Sequence, residues 1–349
     1  MTKTVGGNFF EDFRFGQTLA HATPRTLTSG DQALYQALYG ARFAAQSSAP
    51  FAEALGYHAA PLDDLLVFHT VFGKTVSDIS LNAVANLGYA EARFLSPVYA
   101  GDTLTATSEV IGLKQNSSRE TGVVYVRSRG FNQHDLCVLE FVRWAMVRKR
   151  DPLAAAPPEH VPNLSKAVAP THLGKSCPPH MRDRYQAGLA GSQHLWADYT
   201  PGERIDHADG VTVEEAEHQL ATRLYQNPAR VHFNQFAESK GRFGRRLVYG
   251  GHVMSLARAL SFNGLANAFR VAAINAGRHV APLFAGDTVF AWSEVLERAE
   301  IPGRGEIGAL RLRTVATKDR PCGDFPQAGG DAPDPAVILD LDYWVLMPR

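Results

Sequence analysis

Two stretches of the chain are dense with apolar side chains and free of glycine and proline. Leu65-Leu66-Val67-Phe68-His69-Thr70-Val71-Phe72 is one, and Val253-Met254-Ser255-Leu256-Ala257-Arg258-Ala259-Leu260 is the other; each reads as a buried helix. Asp63-Asp64 supplies an N-cap signal before the first, and Gly250-Gly251 before the second permits close approach to the backbone. More polar helical segments open at Thr28-Ser29-Gly30-Asp31 and at Thr212-Val213-Glu214-Glu215. Residues 103–111, 122–128, 138–147, 289–296, 309–316 and 337–346 are rich in β-branched and aromatic residues and read as strands. One apolar helix followed by several antiparallel strands, met twice, predicts an α+β architecture with each sheet wrapped around a central helix.

The two occurrences are copies of one unit. Asp12-Phe13 matches Asp198-Tyr199, His21-Ala22 matches His207-Ala208, and Leu38-Tyr39 matches Leu224-Tyr225, all 186 residues apart. Pro97-Val-Tyr-Ala-Gly-Asp102 matches Pro282-Leu-Phe-Ala-Gly-Asp287, and Ser108-Glu109-Val110 matches Ser293-Glu294-Val295, both 185 apart. A run of matches at one offset marks a tandem duplication. The first unit covers residues 1–150 and the second 191–349. Between them, residues 151–190 carry Pro152, Pro157, Pro158, Pro162, Pro170, Pro178 and Pro179, which remove backbone donors and fix φ, so this stretch reads as an extended linker.

Composition narrows the classes of function. With 35 Lys+Arg against 35 Asp+Glu, the chain lacks the basic footprint of a nucleic-acid binder. No window approaches the ~18 uninterrupted apolar residues of a membrane span, and the first residues lack the apolar stretch of a signal peptide. Three widely separated cysteines, Cys137, Cys177 and Cys322, make neither a disulfide framework nor a zinc knuckle. A cytoplasmic globular protein is expected, with no membrane or nucleic-acid partner.

FAEALG at 51–56, the apolar helix, and ARFLSPVYAGDTLTATSEV at 92–110 together resemble the MaoC-like hot-dog dehydratases and (R)-specific enoyl-CoA hydratases. The resemblance covers both halves and so implies a double hot-dog that assembles further into a homo-oligomer. GNFFEDFRFGQTLAHATPRTLTSGD, DDLLVFHTVFGKTVSDISLNAVANLGYAEARF and LYQNPARVHFNQF resemble members of that family acting on a short branched dicarboxylic acyl-CoA. What they imply is reversible hydration of mesaconyl-CoA to β-methylmalyl-CoA. No metal or redox cofactor is expected, CoA being part of the substrate.

The family's hydratase motif, Asp-x-Asn-Pro-x-His, is met by both copies unequally. In the first, Ala41 and Gln46 stand where the Asp and His belong, and neither moves a proton at neutral pH. In the second, Gln226-Asn227-Pro228-Ala229-Arg230-Val231-His232 keeps the histidine but has Asn227 for the acid. The expectation is one active site per chain, in the second half, with His232 as acid/base and Asn227 positioning water. By resemblance, Gly250 lends its backbone N–H to the thioester oxygen, a role suited to a helix N-terminus. Tyr249, Gly251 and His252, beside it, are expected to line the substrate. Because an amide cannot replace the missing acid, Asp63 and Asp64, aligned with Val248-Tyr249, are candidates for the second acid/base; their bland reading is an N-cap pair. The substrate's free carboxylate asks for a guanidinium, for which Arg230 is the favoured clamp and Arg245 and Arg246 are neighbours. Arg93 and Arg278 are plausible contacts for CoA.

Other motifs have plainer readings. Gly303-Arg-Gly305-Glu-Ile-Gly308 satisfies GxGxxG, but strand patterns flank it and no helix follows, so a hairpin turn is expected. His21 and His207 recur at equivalent places, which predicts a shared structural hydrogen bond, and Asp102 and Asp287 predict matching Gly-Asp turns. Three competing functions stand beside the hydratase: an (R)-enoyl-CoA hydratase for another acyl chain, a hot-dog thioesterase, and an inactive acyl-CoA-binding protein.

Overall fold

The computed structural model describes residues 3–178, 184–329 and 333–349; Pro179 and His180 of the linker lie outside the described residues. Where β-branched and aromatic side chains alternate after each Gly-Asp turn, the chain forms long antiparallel strands. The first repeat contributes β1 (Thr18–Thr26), β2 (Ala83–Phe94), β3 (Thr103–Gln115), β4 (Thr121–Phe131) and β5 (Cys137–Arg148). The second contributes β6 (Arg204–Thr212), β7 (Arg270–His279), β8 (Thr288–Ile301), β9 (Arg304–Lys318) and β10 (Val337–Pro348). They make one ten-stranded sheet in the order β1-β3-β4-β5-β2-β7-β10-β9-β8-β6, so the two halves have the same internal order and meet at β2 and β7. The seam is self-complementary: Tyr89 pairs with Gly277 and Ala92 with Ile274, each pair being the other displaced by one repeat.

Each half wraps its strands around a central helix, Asp64–Ile79 in the first and Gly250–Leu260 in the second. Asp63 caps the first helix by accepting the Leu65 N–H at 2.8 Å. The more polar helices also form as their caps predict, Ser29–Tyr39 after Thr28 and Glu215–Leu224 after Glu214. One apolar core runs through both halves, with Leu65, Phe68 and Phe72 of one repeat packed among Tyr249, Val253 and Met254 of the other. Several polar groups inside it pair across the seam between repeats: the Tyr39 hydroxyl lies 2.8 Å from that of Tyr225 and 2.9 Å from His252 Nδ1, and Tyr35 donates to Ser255 at 3.0 Å.

The repeated motifs behave as repeats. His21 Nε2 meets Ser108 Oγ at 2.7 Å and His207 Nε2 meets Ser293 Oγ at 2.8 Å, the expected shared hydrogen bond. Asp102 accepts from the Tyr99 N–H at 2.8 Å and Asp287 from the Phe284 N–H at 2.9 Å, so both close their turns. The GxGxxG segment is the β8–β9 hairpin, with Gly303 at φ 75°. The linker is more than a spacer: His160 bridges to Leu113 of β3, and Val168, Leu173 and Cys177 are buried with Phe269, Ile307 and Trp344 of the second repeat.

Candidate active site

The second repeat's motif lies on an irregular stretch between its two helices. Asn227 is buried, and its Oδ1 accepts the Ala229 N–H at 3.0 Å, which bends the chain into the single 3-10 turn Arg230–His232. The first central helix fixes this stretch from below: a Cβ on Gly73 would stand 1.9 Å from the Tyr225 carbonyl oxygen, so only glycine allows the approach. His232 is half-buried, and its Nδ1 donates to the Leu247 carbonyl at 2.9 Å. A carbonyl only accepts, so the proton sits on Nδ1 and Nε2 keeps its lone pair. Burial is the chief cause of a pKa depressed to about 4, with the Leu247 contact opposing it, so the ring is neutral at pH 7. A neutral imidazole with Nε2 unprotonated is a base.

Tyr249 is the N-cap of the second central helix and Gly250 its first residue. The Tyr249 ring lies 5.4 Å from that of His232, so the motif and the helix N-terminus share one site. The first N–H groups of a helix lack intrahelical acceptors and point outward with the positive end of the dipole. On Gly251, a Cβ would come within 2.5 Å of His69 Cε1; on Gly250, within 2.5 Å of His279 Cε1. The site is thus walled by His69 from the first repeat's helix and by His279 from β7. Neither was foreseen from sequence. His69 Nδ1 lies 3.4 Å from the Tyr249 hydroxyl, and burial holds its pKa at about 3. His252 is on the same helix but turned inward to Tyr39, so it supports the inter-repeat core instead of lining the site.

The arginines divide. Arg230 is exposed at the start of the 3-10 turn and, among the described residues, has no side-chain hydrogen bond or ion pair, which suits it to an anion. Arg245 donates to the Ala285 carbonyl, and Arg246 is bound by Glu215 and Gln219; both are occupied. Arg93 pairs with Glu140 at 2.6 Å, whereas Arg278 is exposed, donating to the Ala328 carbonyl at 3.3 Å and lying 3.7 Å from Asp340. Among the described residues, no three His, Cys, Asp or Glu side chains are placed to hold a metal, and no helix is long and apolar enough to cross a membrane.

Asp63 and Asp64 fall elsewhere. The helix caps place Asp63 opposite Tyr249 and Asp64 opposite Gly250, an offset of 186, which corrects the alignment with Val248-Tyr249 by one residue. Both sit in the first repeat's own counterpart of the site and make no hydrogen bond or ion pair with His232. Asp64 is 3% exposed and pairs with Arg270, 2% exposed, at 2.5 Å, while its Oδ2 accepts the Val271 N–H at 2.9 Å. Gln46, in the histidine's place, donates to the Phe269 carbonyl at 2.8 Å. In the first repeat, then, the helix N-terminus is stoppered by an ion pair and the motif position is spent on a structural hydrogen bond.

Comparison with known proteins identifies the family and the fold. The family model for mesaconyl-CoA hydratase matches residues 2–323. The chain is 65% identical over 348 residues to a β-methylmalyl-CoA dehydratase of Chloroflexus aurantiacus, covering 99% of each. It is 58% identical over 347 residues to a mesaconyl-CoA hydratase of Cereibacter sphaeroides, covering 99% of this chain and 100% of the relative. A solved structure of a MaoC domain protein dehydratase from Chloroflexus aurantiacus superposes with TM-score 0.98 at 64% identity, over 100% of this chain and 99% of that one. A Mycobacterium tuberculosis protein described as a double hot-dog superposes with TM-score 0.73 at 25% identity, covering 99% of both. The chain belongs to the mesaconyl-CoA hydratase family, double hot-dog hydro-lyases of CoA thioesters.

Proposed function

We propose that this chain interconverts mesaconyl-CoA and β-methylmalyl-CoA at one site, in the C-terminal repeat, and that His232 is its general base. The observation carrying this reading is the pairing of an unprotonated Nε2 on His232 with a helix N-terminus at Gly250 that no side chain caps, both beside Tyr249. The thioester oxygen accepts the Gly250 N–H, where enolate charge develops as water adds to the β-carbon. His232 takes the proton of that water. Asn227, with its Oδ1 committed to Ala229, orders the loop and has its NH2 group left for water. Arg230, exposed and without an ion-pair partner among the described residues, holds the free carboxylate. The residues supply a base and an oxyanion site, with CoA entering only as part of the substrate.

The test is to add purified protein to mesaconyl-CoA, follow the enoyl-thioester absorbance and monitor free thiol in parallel. Loss of the band without thiol, with β-methylmalyl-CoA found by mass, is expected. Thiol release would make the protein a thioesterase. Wild-type turnover in His232→Ala would remove His232 from the mechanism; a fall of about 10²–10⁴-fold is expected.

A further inference from the structure

Four positions distinguish the uncapped helix start of the second repeat from its ion-paired counterpart. At an offset of 185 or 186, Ala41, Gln46, Asp64 and Phe94 of the first repeat correspond to Asn227, His232, Gly250 and His279 of the second. The first three are the motif positions and the helix N-terminus. The fourth exchanges an inert ring for an imidazole.

His279 ends β7, and its ring lies against the N-terminus of the helix: a Cβ on Gly250 would meet its Cε1, Nε2 and Nδ1 at 2.5, 2.6 and 2.7 Å. Across the seam, Tyr89 of β2 places its hydroxyl 3.1 Å from His279 Nε2. Tyr89 is paired in register with Gly277, two residues earlier on the same face of β7, and a Cβ there would stand 2.9 Å from the Tyr89 ring. The missing side chain at Gly277 is what lets the phenol reach along the strand. With Nε2 held by Tyr89, His279 has Nδ1 left for other chemistry, just as His232 has Nε2 left once Leu247 holds its Nδ1.

We infer that His279 is the second proton carrier of the reaction, the one that protonates the α-carbon, with Tyr89 as its positioning residue. The inference rests on the site assigned above. In hydration, His232 Nε2 takes a proton from water as the water oxygen bonds to the β-carbon. The electron pair of the double bond moves toward the thioester oxygen, at the Gly250 N–H. Protonated His279 then gives the Nδ1 proton to the α-carbon and becomes neutral. One proton leaves His279 and one arrives at His232, so the pair carries a single proton before and after, returned through solvent. Dehydration runs the same transfers backward. Burial depresses both rings, and His232 further lowers His279 electrostatically, so the two resist being charged together. With the substrate carboxylate paired to Arg230, the enolate charge developing at the adjacent thioester is what favours the proton on His279. The groups facing His279 are Tyr89, His232 and the buried His69.

The test uses His279→Gln and Tyr89→Phe in the full chain, with mesaconyl-CoA hydration and loss of the α-hydron of β-methylmalyl-CoA in heavy water as readouts. For His279→Gln, kcat and α-hydron exchange should fall together by about 10²–10⁴-fold with KM within about threefold of wild type. Tyr89→Phe should lower kcat by about five- to tenfold, the loss of one hydrogen bond on the ring. Turnover of His279→Gln within threefold of wild type overturns the inference. So does a rise in KM at unchanged kcat, which would make His279 a carboxylate anchor. If His279→Gln does not fold, Tyr89→Phe decides, and wild-type kcat in it overturns the inference. Failure of the wild-type chain to hydrate mesaconyl-CoA would instead remove the reaction itself, which the preceding assay reads separately.

Discussion

The first repeat's stopper makes a quantitative prediction. Asp64 and Arg270 are both almost wholly buried, 2.5 Å apart, and join the two repeats. Replacing Asp64 with Asn keeps an acceptor for the Val271 N–H but leaves the guanidinium without its counter-charge. Breaking a buried pair in this way costs about 3–5 kcal/mol. An unfolding entropy of about 2 cal/mol/K per residue makes that a drop in Tm of about 5 °C, provided the 349 residues unfold as one unit. Replacing both partners with apolar residues of similar volume, Asp64→Leu with Arg270→Met, should recover most of the loss, because the desolvation cost goes with the pair. Thermal unfolding followed by circular dichroism at pH 7 measures both, and mesaconyl-CoA turnover well below the melting range should stay within threefold of wild type. A catalytic Asp64 would give the opposite pattern. Unchanged Tm with a hundredfold fall in kcat for Asp64→Asn would refute the structural assignment.

Three further outcomes follow from the site and core. Gly250→Ala should lower kcat by about 10²-fold with the fold intact, since the new methyl displaces His279 from the helix N-terminus; full activity in steady-state assays would contradict the packing described. Arg230→Met should raise KM for mesaconyl-CoA about tenfold or more while circular dichroism is unaltered, and unchanged KM would free Arg230 of its role. Stability should fall on acidification: His69, His207, His232, His252 and His279 all have folded pKa values of about 3 to 4, below the unfolded value of 6.5, because burial disfavours the charged ring. The unfolded chain therefore binds more protons below pH 6.5, and Tm should drop as pH goes from 6.5 toward 4; a flat Tm across that window would contradict neutral buried rings.

Legibility followed side-chain composition. The strands after each Gly-Asp turn were readable because β-branched and aromatic residues alternate there, and they extend a few residues beyond the expected limits, as β3 does from residue 111 to 115. The seam strands were not readable. β2 and β7 are built from stretches such as VANLGYAEA and VAAINAGRH, whose small residues are poor strand formers but let neighbouring rings lie flat, as at Gly88 against Trp144. The edge strands β1 and β6 are equally illegible, their exposed polar positions giving no apolar alternation. At the site, His232, Asn227 and Gly250 were legible because a motif and a helix start are local in sequence. His279 and Tyr89 were not, since their meeting depends on the register of β2 against β7; the one available signal was the histidine standing where the first repeat has Phe94. Arg270 was equally hidden, lying 206 residues from the carboxylate it neutralises.

The β2–β7 seam has a consequence for how such a molecule can change. In a dimer of identical hot-dogs, every substitution appears twice, so a helix N-terminus must serve both lattice-like stability and reactivity with one residue. Carrying the two halves on one chain removes that symmetry. Asp64 can be a buried salt-bridged plug at one end while Gly250 leaves the other without a side chain, and Phe94 can pack where the second repeat has His279. The halves also cannot separate on dilution, because each is held at the effective concentration set by the linker. One half is thereby free to be a scaffold, and the cost of keeping unpaired polar groups buried in the other is borne by a partner that can never leave.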